Sequence, residues 1–273
     1  MPFNLQSCLR AILFAAVLSG WTALAAPANE NSDFTVVIDP GHGGKDYGCR
    51  GNRASEKDIT LDVARRLGEK IAKQMSDSVE VVFTRDKDVF IALDKRARIA
   101  NDANADLFIS IHVNSVDKRT KGRNKIHGAS VYTVGLHKSE ANLAVAMREN
   151  AVIELEQDFT EAYQGFDPSS SESYIIFELS QNRHMEQSVE FAQLVQNGLT
   201  TTAGRADKGV RQAGFLVLWA TKMPAVLVEL DFICNPEAER FLASEKGRQK
   251  CADAIFEALR TYRMRHRATK PKA

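Results

Sequence analysis

Two histidines, each at the tail of an apolar run, carry side chains that could hold a metal ion. Thr35-Val-Val-Ile38 leads into Asp39-Pro-Gly-His42-Gly-Gly44, and Leu107-Phe-Ile-Ser-Ile111 leads into His112-Val-Asn114-Ser115. A third run, Ala225-Val-Leu-Val228, delivers Glu229. Each run reads as a short buried strand, so each of these side chains sits at or just past a strand's carboxyl end. In an open α/β sheet that edge is where ligands and catalytic groups collect. Two imidazoles and a carboxylate on one rim make the ligand set of a catalytic zinc, whose fourth position stays open for water or substrate.

Taken singly, each residue has a plainer reading. A histidine among glycines is often only part of a turn, although the Asp39-Pro40 lead-in makes this one more specific. Glu56 follows Ser55 at the start of a helix, where the helix dipole alone favours a carboxylate by about 0.3–1 kcal/mol. It could equally be a metal ligand brought back over the first strand by the loop 43–55. His112 could be a satisfied core histidine, and Asn114 ordinary turn chemistry or a group that orients its neighbours. Glu229 follows four apolar residues, and an unpaired buried carboxylate is costly. Either an arginine such as Arg96 or Arg98 neutralises it, or it does acid–base work beside a metal. His127, His137, His184 and His266 fit no such pattern and read as exposed.

The elements that must position these groups alternate along the chain. Strands are expected at 35–39, 79–84, 107–112, 129–134, 214–218 and 225–229. Helices are expected from a Ser55/Asp58 capping box to about 74, over 94–103, from about Ser139 past Ile153, over 185–199, 236–242 and 246–263. Residues 115–127 form a loop rich in Lys and Arg. Residues 155–173 are acidic and lack a period, and Tyr174 to Leu179 is apolar and of ambiguous type. The alternation predicts a single α/β domain with a central, mostly parallel (mixed) sheet and helices on both faces.

The 273 residues suit one large domain, and the net charge of +1 leaves no basic face that would favour nucleic acid. Ala11 to Gly20 is a short apolar stretch after Arg10, and Ala23-Leu24-Ala25 offers a small-residue cleavage site. Residues 1–25 therefore read as a signal peptide and 26–33 as a linker. The domain follows over 34–263, then a basic, disordered tail over 264–273. Export to the periplasm or cell envelope is expected, with no membrane span after cleavage. Cys49, Cys234 and Cys251 then remain, an odd number that allows at most one internal disulfide, and their spacing matches no C-x-x-C metal pattern. Cys251 falls on the apolar face of its helix.

Together the segments resemble the zinc-dependent N-acetylmuramoyl-L-alanine amidases of bacterial cell-wall turnover. The likeness runs from about Thr35 to Tyr262. It rests on Val-Ile-Asp-Pro-Gly-His42-Gly-Gly, Ser55-Glu56-Lys-Asp, Thr84-Arg-Asp, Arg96-Ala-Arg-Ile-Ala-Asn101 and Leu-Phe-Ile-Ser-Ile-His112-Val-Asn-Ser. Gly209-Val-Arg-Gln-Ala-Gly-Phe215 and Pro224-Ala-Val-Leu-Val-Glu229-Leu-Asp-Phe-Ile complete it.

The resemblance implies one zinc per chain on His42, Glu56 and His112, with Glu229 as the catalytic base. The reaction it implies is hydrolysis of the amide between N-acetylmuramic acid and L-alanine of the stem peptide, in wall turnover and daughter-cell separation. Peptidoglycan would be the partner.

Tyr47 and Cys49 stand where the family commonly has Pro and Ala, and Asp231 and Cys234 where it has Gly and Ser. These departures bear on the pocket lining. Some members carry an extra helix that occludes the zinc until a partner moves it, and 155–173 lies where such an insertion would fall. Its carboxylates Glu156, Asp158, Glu161, Asp167 and Glu172 could reach the metal, with an activator protein acting on this segment, or the segment is a solvated surface loop with no regulatory role. Two other functions stay open: a wall-binding protein that has lost turnover, and a zinc peptidase.

Overall fold

A computed structural model describes residues 32–137, 139–157, 159–175 and 184–266. The segment expected to be a signal peptide lies outside these residues, as do residues 267–273 of the expected tail, while Met264 to His266, expected to be disordered, continue the last helix. Six strands form one sheet in the order β2-β1-β3-β6-β4-β5. They are β1 (Thr35–Pro40), β2 (Glu80–Phe83), β3 (Leu107–Asn114), β4 (Ala129–Val134), β5 (Asp207–Ala213) and β6 (Ala225–Phe232). β2, β1, β3 and β6 run parallel, β4 is antiparallel to β6, and β5 is parallel to β4. The mixed sheet and its two helical layers match the expected class.

Among the described residues the helices are α1 (Glu56–Gln74), α2 (Leu93–Asp102), α3 (Glu140–Asn150), the single turn α4 (Phe159–Ala162) and α5 (Met185–Thr201). The turn α6 (Leu216–Trp219), α7 (Pro236–Ala243) and α8 (Glu245–His266) complete the set. Strand side chains alternate between faces, and the core divides accordingly. Val36, Ile38, Ile109, Ile111, Val226 and Val228 point to the layer that holds α1, α5 and α8. Val37, Phe108 and Leu227 point to the layer that holds α2, α3 and α6. β1, β3 and β6 are covered on both sides, which is why they read as continuous apolar runs.

Three local expectations need correction. The apolar run near 214–218 is not a strand: Leu216–Trp219 is one helical turn, and the sixth strand is the polar segment Asp207–Ala213 just before it. β5 is an edge strand, only partly buried, so it needs no apolar alternation, while a short apolar run carries no period that separates strand from turn. The helix after Ser139 stops at Asn150 and passes into a 3₁₀ turn, Ala151–Leu155, rather than running on through Ile153. Ser55 does precede α1, but its hydroxyl bonds the Asp58 carboxylate and caps no backbone amide.

The chain visits β1 and β2 on one side, then returns to place β3 on the other side of β1. That reversal opens a crevice beyond the carboxyl ends of β1 and β3. No helix among the described residues is long and apolar enough to cross a membrane.

Candidate metal centre

The chain leaves β1 through a turn in which His42 itself takes a left-handed conformation, φ 63°. Such a φ is unusual for a residue with a side chain and needs support from its surroundings. Two buried arginines give it. Arg96 donates to the His42 carbonyl at 2.7 Å, to the Pro40 carbonyl at 2.8 Å and to Asp39 Oδ1 at 2.7 Å. Arg85 donates to the Pro40 and Gly41 carbonyls at 2.9 and 2.8 Å. Burial alone would raise the Asp39 pKa, but the Arg96 guanidinium and the Thr84 and Ser110 hydroxyls outweigh it and hold the carboxyl below its ordinary value. The Thr84-Arg85 and Arg96 motifs are thus the foundation of the His42 turn. Gly41 cannot carry a side chain, because a Cβ there would lie 2.5 Å from the His112 ring.

The turn brings His42 to His112 and Glu56. The two rings meet edge to face, with centroids 4.8 Å apart. Glu56 Oε1 lies 3.0 Å from His42 Nε2 and 3.1 Å from His112 Nδ1. Its carboxylate is aimed by the Val113 amide at 2.8 Å and the Cys49 amide at 2.7 Å. Asp46 Oδ2 takes the other His42 nitrogen, Nδ1, at 2.7 Å, which fixes the ring.

A fourth donor, Glu149 in the last turn of α3, was not among the residues expected here. Its Oε2 lies 3.2 Å from His42 Nε2 and 3.1 Å from His112 Nδ1. One donor atom from each of His42, Glu56, His112 and Glu149 falls within 4.8 Å of the others, and all four residues are buried. His42 Nε2 is a buried atom that makes no properly directed hydrogen bond, although two carboxylate oxygens stand beside it. His112 Nδ1 bonds Glu56 Oε1 at 3.1 Å, but His42 Nε2 is left unbonded among the crowded donors; that arrangement fits a cation at their centre, and the N₂O₂ donor set suits zinc.

The signal for Glu149 was its position. A carboxylate in the last turn of a helix opposes the helix dipole and calls for a compensating partner. Of the carboxylates that could reach the metal, the described ones do not join the cluster. Glu156 accepts from the Leu93 amide and the Tyr163 hydroxyl, Asp167 from the Ser169 amide, and Glu172 from the Ser170 hydroxyl. Glu161 is exposed, and Asp158 lies outside the described residues.

Glu229 is the register partner of His112 across β3 and β6. It is fully buried, and neither carboxylate oxygen has a hydrogen-bond partner among the described residues. Burial, reinforced by Glu149, pushes its pKa up to about 8. Neither suggested arginine neutralises it: Arg96 pairs with Asp39, and Arg98 with Asp94. The cation beside it is Arg148, 3.7 Å from Glu229 Oε1. Arg148 also donates to Glu149 Oε1 at 2.9 Å, to the Ser115 carbonyl at 2.7 Å and to Asn114 Oδ1 at 3.1 Å. Asn114 therefore orients Arg148 rather than His112.

His127 is exposed and His266 binds Glu190, while neither they nor His137 and His184 join the metal-ligand cluster. Cys49, Cys234 and Cys251 are free thiols, and Cys251 is buried in the core as expected.

The family described as N-acetylmuramoyl-L-alanine amidase matches residues 36–261. N-acetylmuramoyl-L-alanine amidase AmiC of Escherichia coli O6:H1 is 31% identical over 238 residues, which are 86% of this chain and 54% of AmiC. AmiA of Escherichia coli K12 is 32% identical over 228 residues, 83% of this chain and 75% of AmiA. The chain thus spans about half of one relative and three quarters of the other. Among solved structures, an N-acetylmuramoyl-L-alanine amidase from Clostridium difficile 630 superimposes with a TM-score of 0.63 at 27% identity, covering 88% of this chain and 100% of that one. AmiC2 of Nostoc punctiforme gives 0.60 at 28% identity, covering 85% and 97%. With the family matching residues 36–261 and AmiA of Escherichia coli K12 32% identical over three quarters of its length, the chain belongs to the N-acetylmuramoyl-L-alanine amidase family.

Proposed function

We propose that the chain is an exported zinc amidase that hydrolyses the bond between N-acetylmuramic acid and L-alanine in peptidoglycan, in wall turnover and daughter-cell separation. One observation carries this reading: three buried donors and an unpartnered buried carboxylate, Glu229, meet at one strand edge. His42, Glu56 and His112 would hold the metal. Zinc in such a site supplies Lewis-acid polarisation of a carbonyl and makes water more acidic. Glu229 takes the proton of the attacking water and hands it to the departing alanine nitrogen. Asp46 and the Val113 and Cys49 amides hold the ligands in place throughout.

With a zinc on His42, Glu56 and His112, Glu149 would take the position that a catalytic zinc site keeps open. In this reading the conformation is a closed form, and the end of α3 must withdraw before substrate enters. Arg148 precedes Glu149 and would leave with it, freeing Glu229 from its nearest cation. The segment beyond is the handle. Glu156 and Tyr163 bind the first amides of α2, so a partner that loosens 155–173 would release α3 as well. The relevant donor is Glu149, and not a carboxylate of 155–173 itself.

One zinc per chain is the expected stoichiometry. The His42→Ala/His112→Ala double variant should lose it, since two of the four donors and the only nitrogens go. Elemental analysis of purified protein checks this, and stoichiometric zinc in the double variant would sink the assignment.

A further inference from the structure

The loop 43–55 carries a cation that no carboxylate among the described residues neutralises. Arg50 is exposed, and its guanidinium carbon lies 3.7 Å from the centroid of the Tyr47 ring. The Lys57 ammonium lies 4.1 Å from the same centroid. Lys57 is buried and anchored, donating to Asp88 Oδ2 at 2.7 Å and to the Gly44 carbonyl at 3.0 Å. Tyr47 is thus fixed by a buried ammonium while 43% of it stays exposed, and it offers a platform on which Arg50 rests. The backbone at Arg50 is held too, by a bridge to Ser55.

This platform stands directly against the metal site. A Cβ on Gly48 would lie 2.6 Å from both Glu56 Oε2 and the His42 ring, and the Cys49 amide donates to Glu56 Oε2 at 2.7 Å. Arg50 is the next residue, one Cα step of about 3.8 Å further along the loop. An arginine stacked on an aromatic ring has already lost much of its rotamer freedom, so its fork is ready for a carboxylate at reduced entropic cost. The sequence has tyrosine at 47 where the family pattern commonly has proline, so the platform follows from one of this chain's departures.

We infer that Arg50, held on Tyr47, recognises a carboxylate of the stem peptide on the alanine side of the scissile amide. The inference rests on the amidase reading. Stem peptides join their second residue, a D-glutamate, through the γ-carboxyl, which leaves its α-carboxylate free or, in some walls, amidated. That group lies within two residues of the scissile nitrogen, about 7 Å in an extended chain, which suits a cation on the adjoining loop. Arg50 is a specificity residue: it binds a group remote from the reacting atoms and leaves the chemistry to Glu229.

The test compares two muramoyl tripeptides that differ only at this position, the α-carboxylate and its α-amide. Wild type should favour the acid in kcat/KM by about two- to fivefold, the range for one solvent-exposed ion pair. In Arg50→Gln the acid-to-amide ratio should fall to about one, through a higher KM for the acid at similar kcat. Tyr47→Leu, which removes the platform and keeps the cation, should give an intermediate ratio. An Arg50→Gln variant that keeps the wild-type ratio, or a wild type that does not distinguish the substrates, overturns the inference while the amidase reading stands. If neither the wild type nor the Glu149→Ala variant releases an alanine-terminated peptide from either substrate, the amidase reading itself has failed.

Discussion

Replacing Glu229 by glutamine should leave the fold and the zinc in place and lower turnover by about 10²- to 10⁴-fold. Glutamine keeps the shape and cannot take a proton. The carboxylate is fully buried within β6, and no hydrogen bond to a described residue holds it there. The one cation near it, Arg148, is 3.7 Å away and shares its guanidinium with three other acceptors. A structural ion pair would be closer and would belong mainly to Glu229. Loss of Glu229 as such a partner would unfold the variant or loosen α3, which circular dichroism and thermal melting would register. Near-normal hydrolysis of purified sacculi by a folded Glu229→Gln variant would remove the residue from the mechanism.

The second large effect runs the other way. Glu149→Ala should accelerate the isolated protein by roughly 10- to 100-fold if the closed form dominates, since a competent minor state commonly holds on the order of 1–10% of the population. The three remaining donors should keep the metal. Glu149→Gln separates charge from bulk: it should accelerate less, because an amide still fills the position but ligates weakly. Hydrolysis rates and zinc content, measured on the same preparations, decide the matter. If Glu149→Ala loses the zinc together with its activity, Glu149 is a permanent ligand. If both variants match the wild type with zinc retained, the closed form has no bearing on turnover.

Much of the scaffold was legible because the central strands are buried on both faces. Such strands read as bare apolar runs, and the polar residues that end them stand out: His42, His112 and Glu229. Glu56 was legible as a helix start or a metal ligand, and the family resemblance favoured the ligand. What escaped was set by tertiary context. β5 is a polar edge strand whose only apolar requirement lies on one side, so the more apolar turn after it looked the better strand. Glu149 looked like any charged residue on a helix, because only the return of α3 across the carboxyl edge of the sheet aims it at two histidines. The acidic segment after it stands out by its irregularity, yet Glu156, Asp167 and Glu172 accept from amides and hydroxyls away from the histidines.

The central claim is the bond that is broken, and one measurement reaches it most directly. Purified sacculi are digested with the zinc-loaded chain, as isolated and as the Glu149→Ala variant, and the soluble products are read by mass spectrometry. Free stem peptides with an L-alanine amino terminus, together with glycan strands bearing intact lactyl groups, are the predicted result. Fragments still joined between muramic acid and alanine but cut elsewhere in the peptide would contradict it and point to a zinc peptidase on the same fold.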